Sequence, residues 1–130
     1  MMKKIAVAVG VVTNRQGQIL LALRHEHLHQ GGKWEFPGGK IEQGEQTFDA
    51  LSRELNEEVN INVEQASPLI KLEYDYGDKL VVLDVWQVSE FSGVAQGMEQ
   101  QQIKWVDKVD LANYQFPDAN QPIVDLLIKE

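Results

Sequence analysis

The sequence predicts an α/β (α+β) protein, an αβα sandwich in which helices cover a mixed sheet, and three observations carry that prediction. Residues 4–12 form an apolar run rich in Val, Ile and Ala that reads as a buried strand. From Thr47 to Val59, Phe48, Leu51, Leu55 and Val59 recur at helical spacing with no proline between them, which gives an amphipathic helix. Strand signals resume beyond that helix, and a second helical stretch closes the chain. Strands on both sides of a central helix, with another helix at the end, make a sheet sandwiched by helices.

Taken in order, residues 14–17 supply turn chemistry after the first strand, and residues 18–24 give a second strand expected to pair with it as a hairpin. Residues 25–33 are polar and end near Gly31 and Gly32, so they read as a loop. Residues 34–36 are a short extended piece, because Pro37 disfavours helix before it. After the central helix, residues 69–76 and 79–88 flank Gly77-Asp78, a two-residue hairpin signal. Residues 89–101 read as glycine-punctuated loop and 102–106 as a short strand. A short helix is expected over 107–114, and a second over Gln121–Lys129 with Pro122 in its first turn. No repeat or linker interrupts the chain, so one domain is expected over 1–130.

Composition bounds the partners. With 43% hydrophobic and 25% charged residues this is an ordinary globular composition, and the longest apolar run is too short to span a bilayer. The amino terminus lacks the small-residue cleavage pattern of a signal peptide. Cysteine is absent, which excludes disulfides and thiolate chemistry and fits the cytoplasm. A net charge of −8 disfavours a stable complex with a nucleic-acid strand. Small phosphorylated ligands remain compatible with it, provided a metal ion supplies positive charge.

The central helix supplies ligands for such an ion. Glu54, Glu57 and Glu58 stand at i, i+3 and i+4 and share one face beside the apolar stripe. Like charges at that spacing are mutually destabilising, a penalty that a bound hard cation would reverse. Glutamate-rich faces are ordinarily just solvated, and only the surroundings of this one argue otherwise. Gly38, Gly39 and Gly44 follow Pro37 and form a loop able to bring backbone groups close to a ligand. The order is Gly39, five residues, Glu45, seven residues, Arg53-Glu54-Leu55, one residue, Glu57-Glu58, one residue, Asn60-Ile61.

That pattern resembles the signature of the Nudix hydrolases. One position departs from it: Asn60 stands where the family has glycine. Asparagine is the next most tolerant residue for a left-handed helix cap, so the departure is structural and mild. The segments KKIAVAVG, EFPGGKIE, KLEY and FPDAN extend the likeness end to end, toward the branch of the family that acts on oxidised guanine nucleotides.

The resemblance implies a fold, a reaction and a set of residues. The fold is the Nudix αβα sandwich, and the reaction is Mg²⁺-dependent hydrolysis of 8-oxo-dGTP to the monophosphate and pyrophosphate, with attack at the β-phosphorus. The choice between Mg²⁺ and Mn²⁺ stays open. Glu54, Glu57 and Glu58 are implied as metal ligands or base, joined by the Gly38 carbonyl and by Glu99 from the distant loop QGMEQQQ. Glu45 and Arg53 are implied as the salt bridge that fastens loop to helix. Arg24, His29, Glu35, Phe36, Pro37, Gly38 and Asn120 are implied at the nucleotide. Three of them have a plainer alternative: Glu99 as an exposed acid, Phe36 as core, and Asn120 as a cap for the helix that follows it.

Trp34 and Phe36 could stack on a base, although aromatics of a small domain are more often core. His25, His27 and His29 alternate as zinc ligands on a strand would, but they fall in a loop with no fourth ligand nearby. A monomer is expected. Two other functions remain open: a pyrophosphohydrolase of pyrimidine nucleotides such as CTP, and a catalytically silent nucleotide-binding domain. All the carboxylates of the signature are present, which places the silent domain last.

Overall fold

The computed structural model describes residues 3–129, so residues 1, 2 and 130 of the expected 1–130 domain lie outside the described residues. Its elements are β1 (Lys3–Val12), β2 (Gln18–Leu23), β3 (Trp34–Glu35), β4 (Gly38–Lys40), α1 (Thr47–Val59), β5 (Asn62–Asp75), β6 (Lys79–Ser92), β7 (Ile103–Asp107) and α2 (Gln121–Lys129), with 3₁₀ helices at Lys108–Asn113 and Asp118–Asn120. One sheet has the order β4-β1-β6-β5 and the other β3-β2-β7.

Strand β1 is the axis of the fold. It runs parallel to β6, from Lys3 opposite Lys79 to Val12 opposite Val88, and antiparallel to β4. A strand covered on both faces needs apolar residues at successive positions, which explains the unbroken run. Ala8 and Val12 face α1 in a cluster with Leu20, Leu51, Leu55, Val59 and Val88. Val9 and Val11 face the other way, toward Ile123, Val124 and Leu127 of α2. The two helices therefore cover opposite faces, as the αβα expectation requires. Gly10 lets α1 approach, because a Cβ there would meet Leu55 and Leu51 side chains at 3.1 and 3.2 Å.

The expected β1–β2 hairpin is corrected by the sheet order. The turn forms: Asn14 Oδ1 accepts the N–H groups of Gln16 and Gln18, and Gly17 takes a positive φ of 80°. Beyond one isolated bridge between Thr13 and Ile19, however, the strands part into different sheets. Turn chemistry is local, whereas the partner of β1 is decided by the long parallel register with β6.

Other elements also differ from the expectation. β5 starts at Asn62 and β6 runs on to Ser92, because these extensions pair with each other through register shifts. Pro68 is tolerated beside one of those shifts, where the ladder is already interrupted. The expected helix over 107–114 is a 3₁₀ helix, Lys108–Asn113. Gly38–Lys40 forms a strand that no pattern in its three residues announces. Asn60 does adopt the left-handed cap, with φ 62° and ψ 35°, its N–H reaching the Asn56 carbonyl.

Candidate active site

Two cavities adjoin at the glycine loop and the end of β2, the first over β1 and β6 and the second against α1. The first, about 230 Å³, is lined by Val9, Phe36, Tyr76, Leu83, Ala119 and Asn120 among others. The second, about 190 Å³, is lined by Glu54, Glu58 and Glu99 with His25, Leu28 and Gln101. Arg24, Glu35 and Gly38 border both.

The glycine loop is packed against β1 and α1 by contacts that require glycine. A Cβ on Gly38 would collide with the Ala8 carbonyl, and one on Gly39 with the Glu54 carboxyl. The Gly38 N–H donates to Glu58 Oε2 at 3.4 Å, which ties helix to loop. Pro37 is buried and its carbonyl accepts the Gly10 N–H at 2.8 Å, so it anchors the loop to β1 and lines neither cavity.

The helix carboxylates are not equivalent. Glu58 is buried, and its carboxyl is pushed up to about 8 by burial first, then by the charges of Glu35, Glu99 and Glu54, with the Gly38 N–H opposing. Glu54 is half-buried and bonded to Arg53 Nη1 at 2.8 Å. Glu57 is 58% exposed, 3.7 Å from Arg53, and outside both cavity linings. Arg53 also grips Glu45 through two bonds of 2.9 Å and donates to the Lys40 carbonyl at 3.2 Å, so it joins loop to helix. With that partner, and with the Glu42 N–H, the Glu45 carboxyl falls to about 2.

Glu99 arrives from far along the chain because its loop is docked on the end of α1. Met98 N–H and Gln101 Nε2 both donate to the Glu58 carbonyl, at 3.0 and 3.1 Å, and Gln96 N–H to that of Val59. Glu35 stands between the cavities, bonded to Arg24 Nη1 at 3.1 Å, and burial raises its pKa more than Arg24 lowers it. Arg24 is fixed further by donating Nε–H to the His29 carbonyl at 2.6 Å.

Among the described residues no group of three or more His, Asp or Glu side chains closes to enclose an ion. The donor set nevertheless fits a hard dication: Glu54, Glu58 and Glu99 offer oxygen at one cavity, and a buried carboxylate among like charges is what such an ion neutralises. His25 and His27 stack on each other at 5.6 Å, while His29 lines the first cavity against Tyr76.

In the first cavity Phe36 stacks on Phe116 at 5.4 Å and is both core and cavity wall. Trp34 packs edge-on against Tyr114 and lines neither cavity. Asn120 is buried, and its amide has no hydrogen bond to any described residue. The cap reading therefore loses its defining bond, and the amide is left for the cavity it lines. Lys79, Val81 and Leu83, which alternate along β6, and Tyr76, in the turn before it, also line the first cavity; nothing in their local pattern marks that face as a cavity wall.

A family model described as NUDIX domain matches residues 8–126. The chain belongs to the NUDIX family. This NUDIX protein is 41% identical over 123 residues to the 8-oxo-dGTP diphosphatase of Escherichia coli K12, covering 95% of each chain. It is 33% identical to the CTP pyrophosphohydrolase of the same organism, covering 95% of this chain and 91% of that one. Among solved structures, one from a study of MutT from Aliivibrio salmonicida and Vibrio cholerae matches with a TM-score of 0.87 and 39% identity, covering 98% of both chains. Among the described residues no helix is long and apolar enough to cross a membrane.

Proposed function

We infer that this NUDIX protein hydrolyses 8-oxo-dGTP and related oxidised guanine nucleotides to the monophosphate and pyrophosphate, cleansing the nucleotide pool and so preventing mutation during DNA replication. One observation carries the reading: a mainly apolar cavity with an uncommitted Asn120 amide opens beside a carboxylate-lined one, and Arg24, Glu35 and Gly38 border both. A base fits the first, where the Asn120 amide reads its purine edge, and a polyphosphate with its cation fits the second. The similarity to the E. coli 8-oxo-dGTP diphosphatase supports the same substrate class.

Mg²⁺, or Mn²⁺ in its place, would supply neutralisation of the phosphate oxygens and acidification of a water. Glu54, Glu58 and Glu99 would hold it together with the Gly38 carbonyl, and Glu57, on the same helix face but outside both cavity linings, would join them as a further ligand or as base. One of these carboxylates takes the proton of the attacking water. Arg24, with His29 beside it, sits at the junction where the sugar and first phosphate would cross, and its planar guanidinium suits their oxygens. Glu35 holds that guanidinium, Phe36 walls the base site, and Pro37 sets the loop. Glu45 and Arg53 act by fixing loop and helix. A single domain, a monomer and a cytoplasmic site belong to the same reading.

The test is a competition panel of 8-oxo-dGTP, dGTP and CTP with product identification in ¹⁸O-water. The expected result is the highest kcat/KM for 8-oxo-dGTP, with label in pyrophosphate from attack at the β-phosphorus. Preference for CTP would shift the assignment to the pyrimidine branch, and label in the monophosphate would move the attack to the α-phosphorus.

A further inference from the structure

Asn120 is carried by a very short element. It ends the 3₁₀ helix Asp118–Asn120, whose internal bond runs from the Asn120 N–H to the Pro117 carbonyl at 2.9 Å. One turn of this kind has little cooperativity of its own, so its orientation depends on what fastens it. A fastening comes from Tyr76, at the turn between β5 and β6. The Tyr76 hydroxyl oxygen accepts the Ala119 N–H at 2.9 Å, across 43 positions of sequence.

Packing alone does not account for that hydroxyl. The Tyr76 ring lies edge-on to His29 at 4.7 Å and tilted on Tyr74 at 4.7 Å, contacts that a phenylalanine ring would make equally well. What the oxygen adds is a bond to the residue directly before Asn120, within the wall of the same cavity. An amide that reads a donor beside an acceptor must be held in both position and rotation, since a turned amide presents the wrong atom.

We propose that Tyr76 is a positioning residue for base selectivity, holding the Asn120 amide in register with the purine edge through the Ala119 N–H. It acts through Asn120 and rests on the assignment of Asn120 as the base reader.

Tyr76→Phe keeps the ring and leaves the Ala119 N–H unpaired. In the ligand-free variant, hydrogen exchange at Ala119 and Asn120 should accelerate while β1 and β6 amides stay protected, which also shows that the fold is intact. By titration calorimetry, the preference for 8-oxo-dGMP over dGMP should fall roughly three- to tenfold, the range expected for one neutral hydrogen bond. Combined with Asn120→Ala, the change should lower the preference no further than Asn120→Ala alone, because both act on one interaction. An unchanged preference, an equal loss of affinity for both nucleotides, or additive losses would each overturn the role of Tyr76. A wild-type protein with no preference for 8-oxo-dGMP would instead overturn the functional reading itself.

Discussion

Arg53 holds Glu45 with two parallel bonds, Nε to Oε2 and Nη2 to Oε1, both 2.9 Å, and with its remaining nitrogen holds Glu54 at 2.8 Å. One guanidinium thus sets both the loop before α1 and a carboxylate of the site. Lysine keeps the charge but not the planar geometry. Arg53→Lys should therefore lower kcat or Mg²⁺ affinity about ten- to a hundredfold, the usual effect of losing a group that orients ligands. Steady-state kinetics across a Mg²⁺ titration would decide it, and wild-type values would reduce Arg53 to a surface ion pair.

Glu58 predicts a pH dependence whose sign can be worked out. Its carboxyl is raised from 4.5 to about 8 in the folded protein, so between those values the folded state holds a proton that the unfolded chain has lost. Its contribution to stability is complete below the unfolded value and is lost as pH rises toward the folded one. With chelator present, Tm should fall as pH rises from about 5 to 8, and Glu58→Gln should flatten that fall. Mg²⁺ competes with the same proton and should raise Tm more at the alkaline end of the window than at the acid end. Glu58→Gln and Glu54→Gln should each cost orders of magnitude in turnover with the fold retained. Full activity in both folded variants would remove the carboxylate face from catalysis.

The two glycines of the loop should respond differently to alanine. At Gly39 the added Cβ meets the Glu54 carboxyl, the movable end of a side chain; at Gly38 it meets the Ala8 backbone carbonyl. Gly39→Ala should keep most of its stability yet lose activity because Glu54 is displaced. Gly38→Ala should cost about 1–3 kcal/mol in folding free energy. Urea melts beside kcat measurements separate the two, and equal stability losses would contradict the geometry.

Asn120 offers one donor and one acceptor, which match the N7–H and O6 of 8-oxoguanine and leave an acceptor facing an acceptor with guanine. Asn120→Ala should weaken 8-oxo-dGMP binding and compress its preference over dGMP by roughly ten- to a hundredfold, equivalent to about 1–3 kcal/mol. Mg²⁺ binding should stay near normal. An intact preference in a well-folded variant would send the search for the base reader elsewhere.

The sequence by itself determined the central helix, its left-handed end at Asn60, the Gly77-Asp78 hairpin and the grouping of Glu54, Glu57 and Glu58, because each depends on neighbours within a few positions. The glycine spacing likewise pointed to a loop held close to the helix. Tertiary structure decided the rest. It sent β1 and β2 to different sheets, since a turn fixes the reversal of the chain but long-range register chooses the partner. It separated three equivalent-looking glutamates into one buried, one tied to Arg53 and one exposed, a difference set by what packs over the helix. It brought Glu99 to Glu58 through hydrogen bonds between loop and helix end that leave no periodic trace. Tyr76 reached Ala119 in the same way, because a contact spanning 43 residues is a property of the whole fold and no local pattern encodes it.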